Sequence, residues 1–272
     1  MMDFRPRLWS ALSVALLGAA CGQGEGEGSP QPSAQHGEAG EAALGEGGGE
    51  AGESGEAGVS IEAAARDGIA YRQALAVVEA HVRAARDAYA VGAKQAAGEL
   101  FAHPVAEVLV GMEPVFQAQG VTDFSGLLLE ASGAALDGRE AAEINTRTEQ
   151  ILAALRAAAA KAPATAASEG RIAARVAADQ IERAAAMYRI AAQDARPEPY
   201  LDGYGFYRAA EAAFASGETA IAQESPAAAA AIRTALGALA KAYPGAARPA
   251  SLPGDPAALT AAASGVTLEV SG

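Results

Sequence analysis

One cysteine, three histidines and few aromatic side chains restrict the chemistry open to this chain of 272 residues. A lone Cys21 excludes an intramolecular disulfide, and the body of the chain has no thiol to serve as a nucleophile. There is no HExxH pair of a zincin and no CxxCH for covalent haem. The glycine-rich runs follow no strand, so they are not phosphate-cradling loops. Basic residues are in deficit, 20 Lys and Arg against 33 Asp and Glu. The net charge of −13 argues against sequence-independent nucleic-acid binding, which needs a basic surface. No run of alternating β-branched residues is long enough to build a sheet. What is present is alanine, which makes up most of the 51% apolar share, while aromatics are 5%. Such a composition packs close helices, and the predicted class is all-α. No set of residues selects a catalytic triad, and the chain reads as a non-enzyme.

The N-terminus is a targeting segment and lies outside fold reasoning. Arg5 and Arg7 form a basic start, and Leu8 to Ala20 is an apolar run of 13 residues, short for a membrane span. Gly18, Ala19 and Ala20 precede Cys21 as in a bacterial lipobox, although the leucine stands four rather than three residues before the cysteine. Residues 1–20 are therefore expected to be a lipoprotein leader, with Cys21 as the lipidation site. The other reading is an ordinary cleaved leader with an incidental cysteine. Glycine at position 22, where inner-membrane retention uses aspartate, favours the outer membrane. The expected location is the periplasmic side of a bacterial envelope, with the membrane as partner through the lipid.

Residues 21–58 read as a disordered tether. They carry eight glutamates, no Lys or Arg and a single leucine, too little apolar surface to offset the entropy of ordering. A flexible chain of this length reaches roughly 30–36 Å. Removing the leader's +1 and the tether's −8 from −13 leaves −6 for residues 59–272, so the folded part is mildly acidic.

From Val59 onward the periodicity is helical. Tyr71, Leu75, Val78, Val82, Ala85 and Tyr89 recur at alternating spacings of four and three, a bundle seam. This predicts a first helix from about residue 60 to 97, with His81 at a boundary or surface position beside the seam. A second helix is expected to start near Pro104 and to kink or stop at Pro114. Further helices are expected over about 123–136, 139–161, 165–195, 203–216 and 226–243. A short helix over 256–263 and an extended Thr267–Val270 close the chain. Residues 59–163 and 164–272 form two halves. Shifted by 99 residues, Tyr89 falls on Tyr188, Val82 on Ile181 and His103 on Asp202. The architecture implied is two pseudo-symmetric antiparallel helical bundles.

The stretch LFAHPVAEVLVGMEPVF carries the chemistry. His103 and Glu107 are four residues apart, one turn along one helix face, and present an imidazole and a carboxylate to one ion. The same pair is also what a helix start without function looks like, as the equivalence of His103 and Asp202 suggests. Glu99, Asp202 and Tyr204 are candidates to complete a metal set, with Glu113 and Tyr200 behind them. Oxygen ligands with one histidine suit iron, with zinc or copper as borderline alternatives. The tyrosines near Asp202 are expected to wedge the two bundles together, with their hydroxyls at the rim.

At His103 and Glu107 the chain resembles the imelysin family, over roughly residues 60–245. Those proteins are exported, all-helical and two-halved, with a Gly-x-His-x-x-Glu motif near a helix start. Here Phe101 stands in place of the glycine, and the glutamate is four residues after the histidine. The resemblance implies iron-linked binding or uptake in the cell envelope, with His103 and Glu107 as the residues that map. The function expected is a non-catalytic, envelope-anchored metal-binding protein. The alternative is an envelope scaffold or interaction module without metal, and either has an envelope protein as a candidate partner.

Overall fold

A computed structural model describes residues 58–272. The leader, Cys21 and the tether up to residue 57 lie outside the described residues. The described chain is helical and, among those residues, without a β-strand. None of its helices is long and apolar enough to cross a membrane.

The first predicted helix is two. Helix α1 (Ile61–Arg66) ends at Asp67, whose extended backbone breaks the run. The Asp67 carboxylate accepts from the Ile69 amide at 2.6 Å and caps helix α2 (Gly68–Ala90). Helix α2 then stops earlier than the periodicity predicted. Gly92 adopts φ +87°, and the Ala93 amide donates to the Ala88 carbonyl at 3.0 Å. That is a glycine-closed C-terminus, where a left-handed residue satisfies the last carbonyls.

Helix α3 (Lys94–Pro104) begins ten residues ahead of the expected start, so Pro104 ends a helix rather than opening one. The chain does not break there. It widens into a π turn, Val105–Leu109, in which the Val110 amide donates to the Val105 carbonyl, and continues as α4 (Val110–Ala118). Proline lacks the amide that an α-turn needs, and the wider turn absorbs the mismatch. His103 therefore sits inside a continuous helical run, not at a helix start. Pro114 is accommodated within α4.

Helices α5 (Ser125–Leu136), α6 (Ala141–Ala159), α7 (Glu169–Ala191) and α9 (Pro226–Ala242) stand close to their predicted places. Helix α8 (Glu198–Glu224) starts before Asp202 and is longer than predicted, because Pro199 lies in its first turn, where proline is tolerated. Asp202 is thus within α8 and does not open it. Helix α10 (Pro256–Ser271) replaces both the short helix and the extended end expected there. The Asp255 carboxylate caps it by accepting from the Ala257 amide at 2.9 Å.

The described residues fall within one compact unit, and a single apolar cluster runs through both of their halves. The boundary at 163/164 falls in the connection between α6 and α7. Helices α2 and α7 have 23 residues each. Helix α2 is enclosed by α3, α6, α7 and α8, and α7 packs on α8, α9 and α10. The alanines make this possible, because small side chains let backbones approach. At Gly205 on α8, a Cβ atom would stand 2.5 Å from the Ala80 carbonyl oxygen of α2.

The late tyrosines are interior rather than at the rim. Tyr243 is central, with the Tyr188 and Tyr200 ring centroids both 5.2 Å away. Its hydroxyl donates to the Ala184 carbonyl at 2.8 Å, and that of Tyr200 donates to the Gly245 carbonyl at 2.8 Å. These bonds satisfy hydroxyls that burial would otherwise leave without partners. Burial pushes the Tyr200 hydroxyl up to about 12, and the Gly245 backbone and Arg248 only partly oppose it.

Candidate metal centre

The polar cluster of the interior is built around His81. Helix α2 is buried on most of its circumference, and His81 is 6% exposed. Its Nδ1 lies 2.9 Å from the Val77 carbonyl oxygen. A carbonyl accepts and does not donate, so Nδ1 carries the proton. When the ring is neutral, this tautomer presents a lone pair at Nε2. This is the tautomer of a metal-ligating imidazole, whose second nitrogen is tied to a backbone carbonyl. The Phe206 ring of α8 stands edge-on to the imidazole, centroids 5.9 Å apart. The Arg183 guanidinium lies over the Phe206 ring at 5.8 Å.

Two carboxylates face Nε2. Glu107 Oε2 is 3.9 Å away and Asp202 Oδ1 is 3.9 Å away. Neither is close enough for a hydrogen bond. Glu107 is delivered by the π turn, and Asp202 by the second turn of α8, three residues before the Gly205 approach to Ala80. Burial pushes the Asp202 carboxyl above its ordinary value. The positive charge of His81 and His103 opposes that rise, while Glu107 and Glu198 add to it.

The geometry has a chemical consequence. With the ring neutral, Nε2 and the two carboxylates would all be acceptors, and acceptors converge stably only around a proton, which would sit on Nε2, or around a cation. Two ligand atoms each ~2.1 Å from one ion are at most ~4.2 Å apart, and the two 3.9 Å separations meet that limit only with a wide angle at the ion. One imidazole nitrogen with carboxylate oxygens fits iron and excludes a thiolate-preferring ion. Among the described residues, no group of three or more His, Cys, Asp or Glu side chains could hold a metal ion as it stands. The cluster around His81 is an open set of acceptors that an ion would have to draw together.

The residues singled out in the sequence divide. Glu107 and Asp202 come together, but around His81. His103 is exposed, close enough for its charge to act on Asp202. Glu99 is exposed and accepts from the Gln95 side chain at 2.7 Å. Glu113 is exposed and accepts from Gln117 at 3.2 Å. Tyr204 is engaged elsewhere: its hydroxyl donates to Asp87 Oδ2 at 2.8 Å and accepts from Arg208 at 2.8 Å. Burial, with Asp87 beside it, pushes the Tyr204 hydroxyl up, which disfavours the phenolate that a ferric ion would need. The role of Tyr204 is to bind α8 to α2 through Asp87. His81, expected at a boundary or surface position, is buried, and Val77, Val78, Ala84 and Ala85 flank it at helical spacing.

Against this geometry, one family model matches the chain. The iron permease-associated 4-helix bundle domain aligns with residues 192–272. The segment comprises α8, α9 and α10, and α7, which precedes the matched residues, packs against all three. Of the cluster, the match contains Asp202 alone. It supports a helical, iron-linked domain and does not extend to the imelysin resemblance. No match was found to a curated protein or to a solved structure.

Proposed function

We propose that the protein is an iron-binding component of an iron-uptake system at the cell envelope, held to a membrane by a lipid on Cys21 and without catalytic activity. The observation that carries this reading is the convergence of Glu107 and Asp202 on Nε2 of a buried His81. The match of residues 192–272 to a domain associated with iron permeases supports iron as the cargo. Neutral His81 and ionised Glu107 and Asp202 would offer one nitrogen and at least two oxygens. The carboxylate charge suits a hard or borderline cation, and zinc and copper are its competitors. The partners expected are the membrane surface and an envelope protein that passes or receives the ion. Nucleic acid is not among them.

Equilibrium dialysis of the purified protein against Fe2+ without oxygen, and against chelated Fe3+, tests the reading. Glu107→Gln should weaken binding by about 10- to 100-fold or more, since it removes a charged ligand. Iron binding that is equal in the wild type and this variant would contradict it. An envelope scaffold without metal would leave both proteins metal-free.

A further inference from the structure

A groove of about 740 Å3 is lined by residues of α2, α6, α7 and α8. None of His81, Glu107 and Asp202 lines it. Its walls are aliphatic: Leu75 of α2, Leu155 of α6, Ile172 and Val176 of α7, and Ala209 and Ala213 of α8. No aromatic side chain is among the lining residues, so a flat aromatic ligand would have nothing to stack on. Helices α7 and α8 close the floor, since a Cβ at Gly217 would stand 2.3 Å from that of Ala173.

Shape and charge select the occupant. The lining extends from Arg72 to Arg83 on α2 and from Ala209 to Gln223 on α8, about 16 and 21 Å at the rise of a helix. Spread over that length, the volume of about 740 Å3 leaves a space roughly 7 Å across, against ~10–12 Å for a helix with its side chains. A helix would ride on the rim, whereas a hydrocarbon chain, whose carbons keep ~3.5–4.0 Å from their neighbours, fits inside. The folded part is mildly acidic, yet three arginines against two glutamates line this groove. Glu79 holds Arg83 at 2.6 Å. Arg72 donates to the Gly68 carbonyl at 2.8 Å, and neither it nor exposed Arg156 has a carboxylate partner among the described residues. Glu169 stands in the first turn of α7, where the helix dipole compensates it. Two guanidinium groups facing one glutamate leave an excess of one positive charge. That excess matches a carboxylate, which the guanidinium fork binds at two points, better than the higher charge of a phosphate.

We infer that the groove is a binding site for a fatty carboxylate: one aliphatic chain lies along the walls of α7 and α8, and its head group is held by Arg72 and Arg156. A C–C bond of ~1.52 Å advances an extended chain by about 1.3 Å, so the groove takes roughly 12–16 carbons. The chain supplies the affinity through apolar burial, and the arginines fix which end lies where. The volume is within the ~300–1,000 Å3 usual for small-molecule sites. The inference is independent of the metal reading of the His81 cluster.

Calorimetric titration of the full-length protein with octanoate, decanoate and dodecanoate, each below its micellar concentration, tests the inference. Dodecanoate should bind at one per chain, and each methylene should tighten Kd by up to about fourfold. Arg156→Gln, at an exposed position, should weaken dodecanoate by about tenfold and leave dodecan-1-ol unaffected. Ala212→Phe, which puts a ring into the groove from a half-buried position, should abolish binding of both. Circular dichroism and a thermal melt verify the fold, and Arg156→Gln decides alone if Ala212→Phe does not fold. The inference is overturned if the wild type shows no saturable uptake of dodecanoate, or if Arg156→Gln binds it as the wild type does. It is overturned if Arg156→Gln weakens dodecanoate and dodecan-1-ol alike, which would make the arginine structural, or if a folded Ala212→Phe still binds. Arg156-dependent binding to phosphatidylglycerol vesicles without uptake of free dodecanoate would also overturn it and make this face a membrane contact.

Discussion

His81 on α2 and Asp202 on α8 face one another, Nε2 to Oδ1, at 3.9 Å. They come from residues 121 apart in sequence and are brought together by a glycine. Three residues beyond Asp202, Gly205 lets the α8 backbone lie against the Ala80 carbonyl, the residue preceding His81. Packing and site are therefore one arrangement: the distance between the helices fixes the distance between the acceptors.

This dependence makes Gly205 a sensitive position. In Gly205→Ala the new methyl would meet a backbone oxygen at 2.5 Å, which cannot swing aside. The variant should lose about 1–3 kcal/mol of stability in chemical denaturation, the usual cost of overpacking. Metal affinity should fall with it, as Asp202 moves away from His81. Gly133→Ala, a helical position on α5 with open space around it, is the control and should gain about 0.5–1 kcal/mol. A neutral Gly205→Ala would show that α8 does not need this approach.

The helical class and most of the later helices were legible in the sequence, and the burial of His81 beside Glu107 and Asp202 was not. The seam from Tyr71 to Tyr89 located the most buried face of α2, but alanine does not mark a second buried face. Ala80, Ala84 and Ala88 are small enough to be enclosed by α8 and the other neighbours, so the helix is buried nearly all round. His81 was accordingly placed at a boundary. The reading of His103 failed for a different reason. Pro104 resembles a helix start, yet the glycine-closed end at Gly92 had already started the next helix at Lys94. A π turn leaves no periodicity over five residues that could announce it.

The π turn predicts a separable effect on the site. A π turn amounts to one residue inserted in an α-helix, so deleting exposed Ala106 should let α3 and α4 join as a regular helix with both flanks in phase. Glu107 would then rotate away from His81. The deletion variant should keep its helical circular dichroism and a cooperative melt while losing metal affinity. Retained affinity would show that Glu107 is not a ligand.

Asp202 predicts a trade of stability for binding. Burial raises its carboxyl, so the folded protein keeps a proton that the unfolded chain has released. In the window above the ordinary carboxylate range and up to the raised value, stability therefore falls as pH rises. His81 and His103 narrow that window, and Glu107 and Glu198 widen it. Asp202→Asn abolishes the effect. Its melting temperature should exceed that of the metal-free wild type at pH 7, and the two should converge below the ordinary carboxylate range, where Asp202 is neutral in both states. The same variant should bind metal more weakly, as expected where function holds a charge in an unfavourable place.

The most direct measurement is the iron content of the full-length protein after loading with Fe2+ without oxygen and removal of free metal, compared between wild type and His81→Ala. The account predicts close to one iron per wild-type chain and almost none in the variant, with the fold of both verified by circular dichroism. Equal iron in the two proteins, or none in the wild type, would contradict it.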